Sequence, residues 1–389
     1  MLDIDLVRQQ CAACSSLIHF NNAGSALSPD SVTEAVIKHI RLEQQLGGYE
    51  AAQAAEAGIN NFYRAMASLL NCQPGEIAFI ENATRAWDLA LSSIPLSAGD
   101  EIITFGSEYA SNYMGLLHLA KQKQLQLTLA PLNAEGLVDL EQLEQMINER
   151  SRVLALTHIA SQRGDIQPAA AVGEIARKHG LYYVLDACQS AGQLALDVQQ
   201  LQCDFLCGTG RKFLRGPRGT GFLYVNTDKL AQLEPVFVDL EAARWLSTES
   251  FAWRDDARRF ETFERFVAGM IGLGLATDVA VSTGLDAIAE RISQLVQYLN
   301  GKLQAVDTVQ VLERSAQRSG IVTLIKEDEA AADLKARLQS AGINTSVASA
   351  ANARLDLDQE AHSAVLRASL HYYNTEAEID LLVEELQRD

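Results

Sequence analysis

Three polar stretches, each following an apolar run, carry residue types that could do chemistry together. Residues 205–221 read Phe-Leu-Cys-Gly-Thr-Gly-Arg-Lys-Phe-Leu-Arg-Gly-Pro-Arg-Gly-Thr-Gly, which sets Lys212 among small residues and beside Arg211 where a buried strand ends. Desolvation and a like charge both depress an amine's pKa, and a neutral amine is what imine formation requires. Residues 182–189, Tyr-Tyr-Val-Leu-Asp-Ala-Cys-Gln, end an apolar strand on Asp186. A buried anion is costly unless it meets a cation. A protonated pyridine nitrogen is such a cation, and pairing keeps the ring an electron sink for a developing carbanion. Gln189 is placed to donate to a phenolic oxygen on such a ring. The third stretch, Glu81-Asn82-Ala83-Thr84-Arg85, opens a helical pattern. Free N–H groups at Ala83 and Thr84 and the Thr84 hydroxyl suit an anion there, and Thr209 and Arg211 suit a phosphate.

Each stretch alone has a plainer explanation. Asp186 could cap a following helix, Asn82-Ala83-Thr84 could be an ordinary helix cap, and the Lys212 loop could be a solvated turn or a nucleotide cradle, although it matches no Walker A pattern.

The elements that must position these residues follow from hydrophobic periodicity. Strand-like runs at residues 76–80, 101–105, 124–130, 152–159, 182–186, 205–207 and 221–225 alternate with helical patterns, among them 112–122, 137–148 and 169–179. That alternation predicts an α/β fold with a mainly parallel seven-stranded sheet between helices, and ligands in such sheets sit beyond the carboxyl ends of the strands. After about residue 226 the pattern changes. A Trp-, Arg- and Glu-rich connection at 245–265 leads into a long helical pattern at 267–303, a strand at 320–325, a helix at 329–341 and a closing strand and helix from Leu366. The predicted organisation is an N-terminal segment (1–20), a large domain (21–255), and a small α+β domain (256–389) packing with the N-terminal segment.

Composition narrows the class. With 389 residues, 48% of them hydrophobic and 21% charged, the chain has material for a large domain plus a smaller one. A formal net charge of −18 argues against nucleic acid or anionic lipid as partners. The apolar runs are too short for a membrane span and the N-terminus lacks a basic-then-apolar leader, so a cytoplasmic location is expected. The six cysteines, Cys11, Cys14, Cys72, Cys188, Cys203 and Cys207, are scattered rather than spaced as a disulfide framework. Cys11-x-x-Cys14 has metal-ligand spacing, but nothing completes a tetrahedral set and no metal is expected.

The order of these motifs resembles the class V aminotransferase family, which includes cysteine desulfurases, selenocysteine lyases and isopenicillin N epimerase-like enzymes. The resemblance runs from Asn21-Asn22-Ala23-Gly24 to the closing Leu-Arg-Ala-Ser-Leu-His-Tyr-Tyr-Asn at 366–374. It implies a fold-type I enzyme that uses pyridoxal 5′-phosphate (PLP), acts on a small amino acid and pairs as a homodimer. Position by position, Lys212 resembles the Schiff-base lysine, Asp186 the partner of the pyridine nitrogen, and Gln189 the residue near the phenolic oxygen. Ala83, Thr84, Thr209 and Arg211 resemble the phosphate site, where desulfurases usually carry His in place of Arg211. Tyr109, in Ser107-Glu108-Tyr109, takes the place of the ring-stacking histidine; it keeps an aromatic face with little acid–base capacity near neutral pH. Arg367 resembles the arginine that grips the substrate carboxylate. Asn22 is expected to shape the substrate end, and Ser161 or Gln162 to cover a contact that relatives make with Asn. His158 is either a core histidine or a catalytic one.

Two departures bear on function. Desulfurases attack the substrate sulfur with a cysteine on a small-domain loop, and residues 342–354 contain none. Glu264 stands where relatives offer a threonine to the neighbouring subunit's phosphate. The resemblance therefore implies an aminotransferase or a C–S (β-elimination) lyase, with desulfurase-like or epimerase activity, or a non-catalytic PLP-fold binding protein, as the alternatives.

Overall fold

The computed structural model describes residues 2–360 and 362–388. Seven strands form the main sheet: β1 (Ile77–Ile80), β2 (Glu101–Phe105), β3 (Gln126–Ala130), β4 (Ser151–Thr157), β5 (Tyr182–Asp186), β6 (Phe205–Thr209) and β7 (Gly221–Val225). Their order is β1-β7-β6-β5-β4-β2-β3, and all run parallel except β7, which is antiparallel to both neighbours. Strands inside a parallel sheet are covered on both faces and read as continuous apolar runs. In β1, β2, β6 and β7 every residue is buried, whereas in the edge strand β3 only Ala130 is. This is the expected α/β architecture, with β4 beginning one residue before the sequence pattern and ending two residues before it.

One face of the sheet packs on Glu56–Leu70 and Val267–Thr283, in a core that includes Phe62, Met66, Leu154, Leu185, Phe222, Met270 and Leu273. These two helices approach so closely that a Cβ on Gly274 would lie 2.9 Å from the Phe62 Cα, which explains the small-residue composition of Val267–Thr283. The long helical pattern at 267–303 is two helices rather than one. Gly284, at φ +92°, ends the first, and Leu285–Leu303 leaves at 77° to it. Only the second helix enters the other core, so the body around the large sheet extends past residue 256 to Gly284. No single helix among the described residues is long and apolar enough to cross a membrane.

The second core lies under a four-stranded antiparallel sheet formed by β8 (Val309–Val311), β9 (Ile321–Lys326), β10 (Ser346–Ser349) and β11 (Ala364–Ser369), in the order β8-β9-β11-β10. Val7, Cys11, Cys14 and Phe20 join it, and Ile18–His19 pairs in parallel with Ile343–Asn344, which ties the N-terminal segment to this body. Residues 245–265 open as a hairpin, Ala243–Ser247 against Ser250–Trp253, with Trp245 72% exposed.

Candidate active site

Five strand ends deliver side chains to one cavity beyond the carboxyl edge of the large sheet. β1 leads to Asn82, Ala83 and Thr84, β2 to Tyr109, and β4 to Thr157 and Ser161; β5 ends on Asp186, and β6 leads to Thr209, Arg211 and Lys212. The helix Ala83–Ser93 points its N-terminus into this space; the Asn82 side chain accepts from the Arg85 N–H, leaving the earlier N–H groups for an anion. No helix directly follows Asp186. The chain turns instead, and the Asp186 Oδ1 accepts from the Cys188 N–H at 2.7 Å. The turn continues to Gly192 (φ +93°), where a Cβ would lie 2.4 Å from Phe213 backbone atoms. Only glycine lets the segment after Gln189 touch the Lys212 loop.

Lys212 is buried, and its amine forms no ion pair among the described residues. Desolvation pushes its pKa down; Cys188 and Asp186 oppose this, and the Arg211 and Arg367 guanidiniums add to it. The amine sits 5.9 Å from the centre of the Tyr109 ring. Tyr109 itself is half-exposed at the mouth. Arg211 donates to the Gly24 carbonyl at 2.9 Å, and the Thr209 hydroxyl to the Thr220 carbonyl at 3.3 Å. In the pocket wall, Asn112 donates to the Asp186 Oδ2 at 2.7 Å.

The donor set fits PLP. An uncommitted amine lies in the same pocket as a buried carboxylate, and a helix N-terminus with two hydroxyls and Arg211 can take a phosphate. Gln189 adds an unusual feature: its amide N–H reaches the Ala23 carbonyl at 3.2 Å, while its Oε1 is buried with no partner among the described residues. The free end is an acceptor, so it would take an O–H from a ring substituent, whereas the sequence suggests that Gln189 donates to the phenolic oxygen.

Arg367 lies at the small-domain side, on β11 between Thr323 of β9 and Ser346 of β10. It donates to the Ser346 hydroxyl at 2.9 Å, the Ser161 carbonyl at 2.5 Å and the Asn21 Oδ1 at 3.5 Å. Burial pushes its pKa down to about 10, with the Arg211 charge adding to the effect, so a substrate carboxylate there would relieve a real electrostatic cost. Asn22 is not brought into the pocket. Its amide donates to the His19 and Ser369 carbonyls and to Asn374, and its Oδ1 accepts from Tyr373; with all of its groups engaged in the protein, it shapes the Asn21–Gly24 turn without facing a substrate. Ser161 lines the cavity, while the Gln162 amide turns away to Asp356. His158 is also outside the cavity walls; burial drops its pKa to about 4 and its Nδ1 has no partner among the described residues. Glu264 is exposed, at the turn before Val267–Thr283.

The walls also include Asn112, Thr157, Cys188 and Arg218, to which the sequence reading gave no role. Asn112 follows Tyr109 by three residues at a helix start, a spacing that places both on one side. Cys188 lies between Asp186 and Gln189, but burial, with the Asp186 charge behind it, holds its thiol well above the usual range.

Comparison with known proteins gives the same family. The Aminotransferase class-V family model matches residues 18–382. A probable cysteine desulfurase of Halalkalibacterium halodurans is 31% identical, with 96% of this chain and 93% of that protein covered. The apo cysteine desulfurase of Thermococcus onnurineus NA1 superposes with a TM-score of 0.93 at 24% identity, covering 100% and 98% of the two chains. A cystine C–S lyase, C-DES, solved with its product cysteine persulfide, gives a TM-score of 0.88 at 23% identity over 97% and 99%. The fold is that of the fold-type I enzymes, and the chain belongs to the class V aminotransferases, enzymes that work through pyridoxal 5′-phosphate.

Proposed function

We propose that the protein is a C–S β-lyase acting on a small α-amino acid with a sulfur leaving group on its β-carbon. The observation that carries this is a pairing: the amine of Lys212 lines the pocket and the guanidinium of Arg367 stands beside it, bonded to Ser161 of the wall and close enough for its charge to act on Lys212, yet residues 342–354, which include β10, carry no thiol to take the sulfur. Sulfur then leaves as a thiol rather than passing to the enzyme. The cysteine-type substrate is consistent with the relatives, which are named as cysteine desulfurases and a cystine lyase.

When bound, PLP supplies the electron sink that makes the substrate Cα–H acidic. Arg367 would hold the substrate carboxylate through its two parallel N–H groups. Lys212 would remove the Cα proton and return one to the departing sulfur, a role for which its lowered pKa suits it. Asp186 would hold the proton on the ring nitrogen, Ala83, Thr84, Thr209 and Arg211 would hold the phosphate, and Tyr109 would cover the ring face. The overall reaction converts an S-substituted cysteine and water into a thiol, pyruvate and ammonium. The experiment is a panel of cysteine, cystine and S-alkyl cysteines assayed without a keto acid. Pyruvate and ammonium in equal amounts support the lyase. A strict need for a keto acid acceptor supports an aminotransferase instead, and alanine with enzyme-bound persulfide supports a desulfurase.

We also propose a homodimer. Phe237, Leu240, Trp245, Phe251 and Phe263 are all exposed, and Arg85 of the helix at the anion site lies 4.7 Å from the centre of the Phe237 ring. Apolar exposure of this extent marks a protein surface that another protein covers. Sedimentation of the wild type as a dimer, and of Trp245→Glu as a weaker one, tests it. Six cysteines without disulfides are consistent with a cytoplasmic location.

A further inference from the structure

Glu108 lies directly behind the pocket and is used by nothing described so far. Its Oε1 accepts from the Tyr109 N–H at 2.8 Å, from the Asn112 amide at 3.1 Å and from the Thr157 hydroxyl; its Oε2 accepts from Thr104 at 3.2 Å. The same Asn112 nitrogen donates to the Asp186 Oδ2 at 2.7 Å. Thr157 and Asp186 are register partners on β4 and β5. One side-chain amide thus bridges two buried carboxyls, one of which faces the ring-nitrogen site.

We propose that Glu108 is a positioning residue that fixes Asp186 at the ring-nitrogen site and Tyr109 at the ring-face site and, by gaining or losing its own proton, sets how strongly Asp186 would hold the proton on the ring nitrogen. This rests on the PLP reading above. No lysine or arginine pairs with Glu108 among the described residues. The titratable groups that act on it are Asp186 and the thiol of Cys207; behind Asp186 stand Cys188 and Lys212. Desolvation pushes the Glu108 carboxyl up to about 7; the Asp186 charge acts in the same direction, and the hydrogen bonds from Thr157, Tyr109 and Asn112 oppose it. The network tolerates both charge states without moving heavy atoms, because the Thr157 hydroxyl can donate to an ionised Glu108 or accept from a protonated one. Ionised Glu108 adds a second negative charge behind the ring and strengthens its hold on the proton; protonated Glu108 removes that charge. Through the Tyr109 N–H, the same carboxyl also orients the residue that starts the helix Ala110–Lys123 and covers the ring.

The test uses the PLP-loaded protein and its isosteric variant Glu108→Gln, with ring-labelled 15N-PLP followed by NMR and by the visible absorption band between pH 5.5 and 8.5 (about 1.5 on either side of the expected midpoint). In the wild type, the ring-nitrogen signal is expected to move with a midpoint near 7, and in Glu108→Gln to stay flat. Glu108→Leu, which breaks the bridge, should weaken PLP binding by about tenfold or more, as for loss of a hydrogen bond to a charged group. If Glu108→Gln titrates like the wild type, the proposal is overturned while the cofactor reading stands. If the wild type takes up no PLP, both are overturned. Because Gln keeps the shape and the Asn112 contact, a merely structural role for Glu108 would leave the titration unchanged.

Discussion

Cations at two places in this molecule are treated in opposite ways. On the small-domain side, Arg163 is fully matched: it pairs with Asp356 at 2.6 Å and with Glu360, donates to the Leu312 carbonyl at 2.8 Å, and is raised above the ordinary arginine pKa. In and beside the pocket, Lys212, Arg211 and Arg367 form no ion pair among the described residues, and burial lowers the pKa values of Lys212 and Arg367. Leaving a buried cation without a carboxylate costs free energy. The first group anchors residues 353–360 of the small domain to the loop after β4. The second leaves positive charge unpaired, as the proposed contacts with a phosphate and a substrate carboxylate would require.

The comparison breaks most sharply at Lys212. Lys212→Ala should lower kcat by about 10²- to 10⁴-fold, the range for loss of a general acid–base group, while the melting temperature without PLP stays the same or rises, since a desolvated amine is removed. A variant that keeps wild-type turnover would remove the lysine from the mechanism. Arg163→Leu should behave in the opposite manner. It strands Asp356 beneath the surface and should cost about 3–5 kcal/mol of stability, read by urea unfolding, for a buried pair broken from one side. Unchanged unfolding would show the pair to be ornamental. Arg367→Lys comes next: the charge survives but the fork does not, so KM should rise by about 10-fold or more with kcat affected less, as for loss of a charge-assisted hydrogen bond. A change in kcat alone would place Arg367 in the chemical step and not in carboxylate binding.

What the sequence made legible has a physical pattern. Sites at the exits of parallel strands are contiguous in the chain, so Ala83, Thr84, Asp186, Gln189, Thr209, Arg211 and Lys212 could be read from local order alone, and the structure gathers all of them into one cavity. The contacts of Arg367 were not legible, because Ser161 and Ser346 meet it only through pairing of β11 with β10 and docking of the small domain. The surroundings of Asn22 were hidden for a similar reason. Its partners Ser369, Tyr373 and Asn374 lie at the far end of the chain, and they consume the hydrogen bonds that a substrate would have used. Gly284 was hidden by apolar residues on both sides that continue the helical period, although its φ of +92° ends the helix. Glu108 sat beside a recognised residue, Tyr109, but burial and not neighbourhood gives it its character.

The smallest expected effect tests whether the matched region is as settled as its ion pairs suggest. Glu313 lies next to Arg163's anchorage, accepting from the Thr323 N–H at 2.8 Å and the Gly164 N–H at 3.2 Å, with Oε2 buried and unpartnered among the described residues. Burial foremost, with the Asp165 charge in the same direction, pushes its carboxyl up to about 7. A carboxyl whose folded pKa lies above its unfolded value binds more protons in the native state, so stability falls as pH rises. The contribution is fully present below the ordinary glutamate range, near 4.5, and is lost as pH passes through about 7. Glu313→Gln removes the titrating group while keeping the acceptor, so unfolding free energy should become flatter between pH 5 and 8 (the window on either side of the shifted value), with the variant gaining on the order of 1 kcal/mol relative to wild type at the alkaline end. An equal pH slope in both proteins would mean that Arg163 and its neighbours already neutralise Glu313, and the contrast between a matched region and an unmatched pocket would then be sharper than drawn.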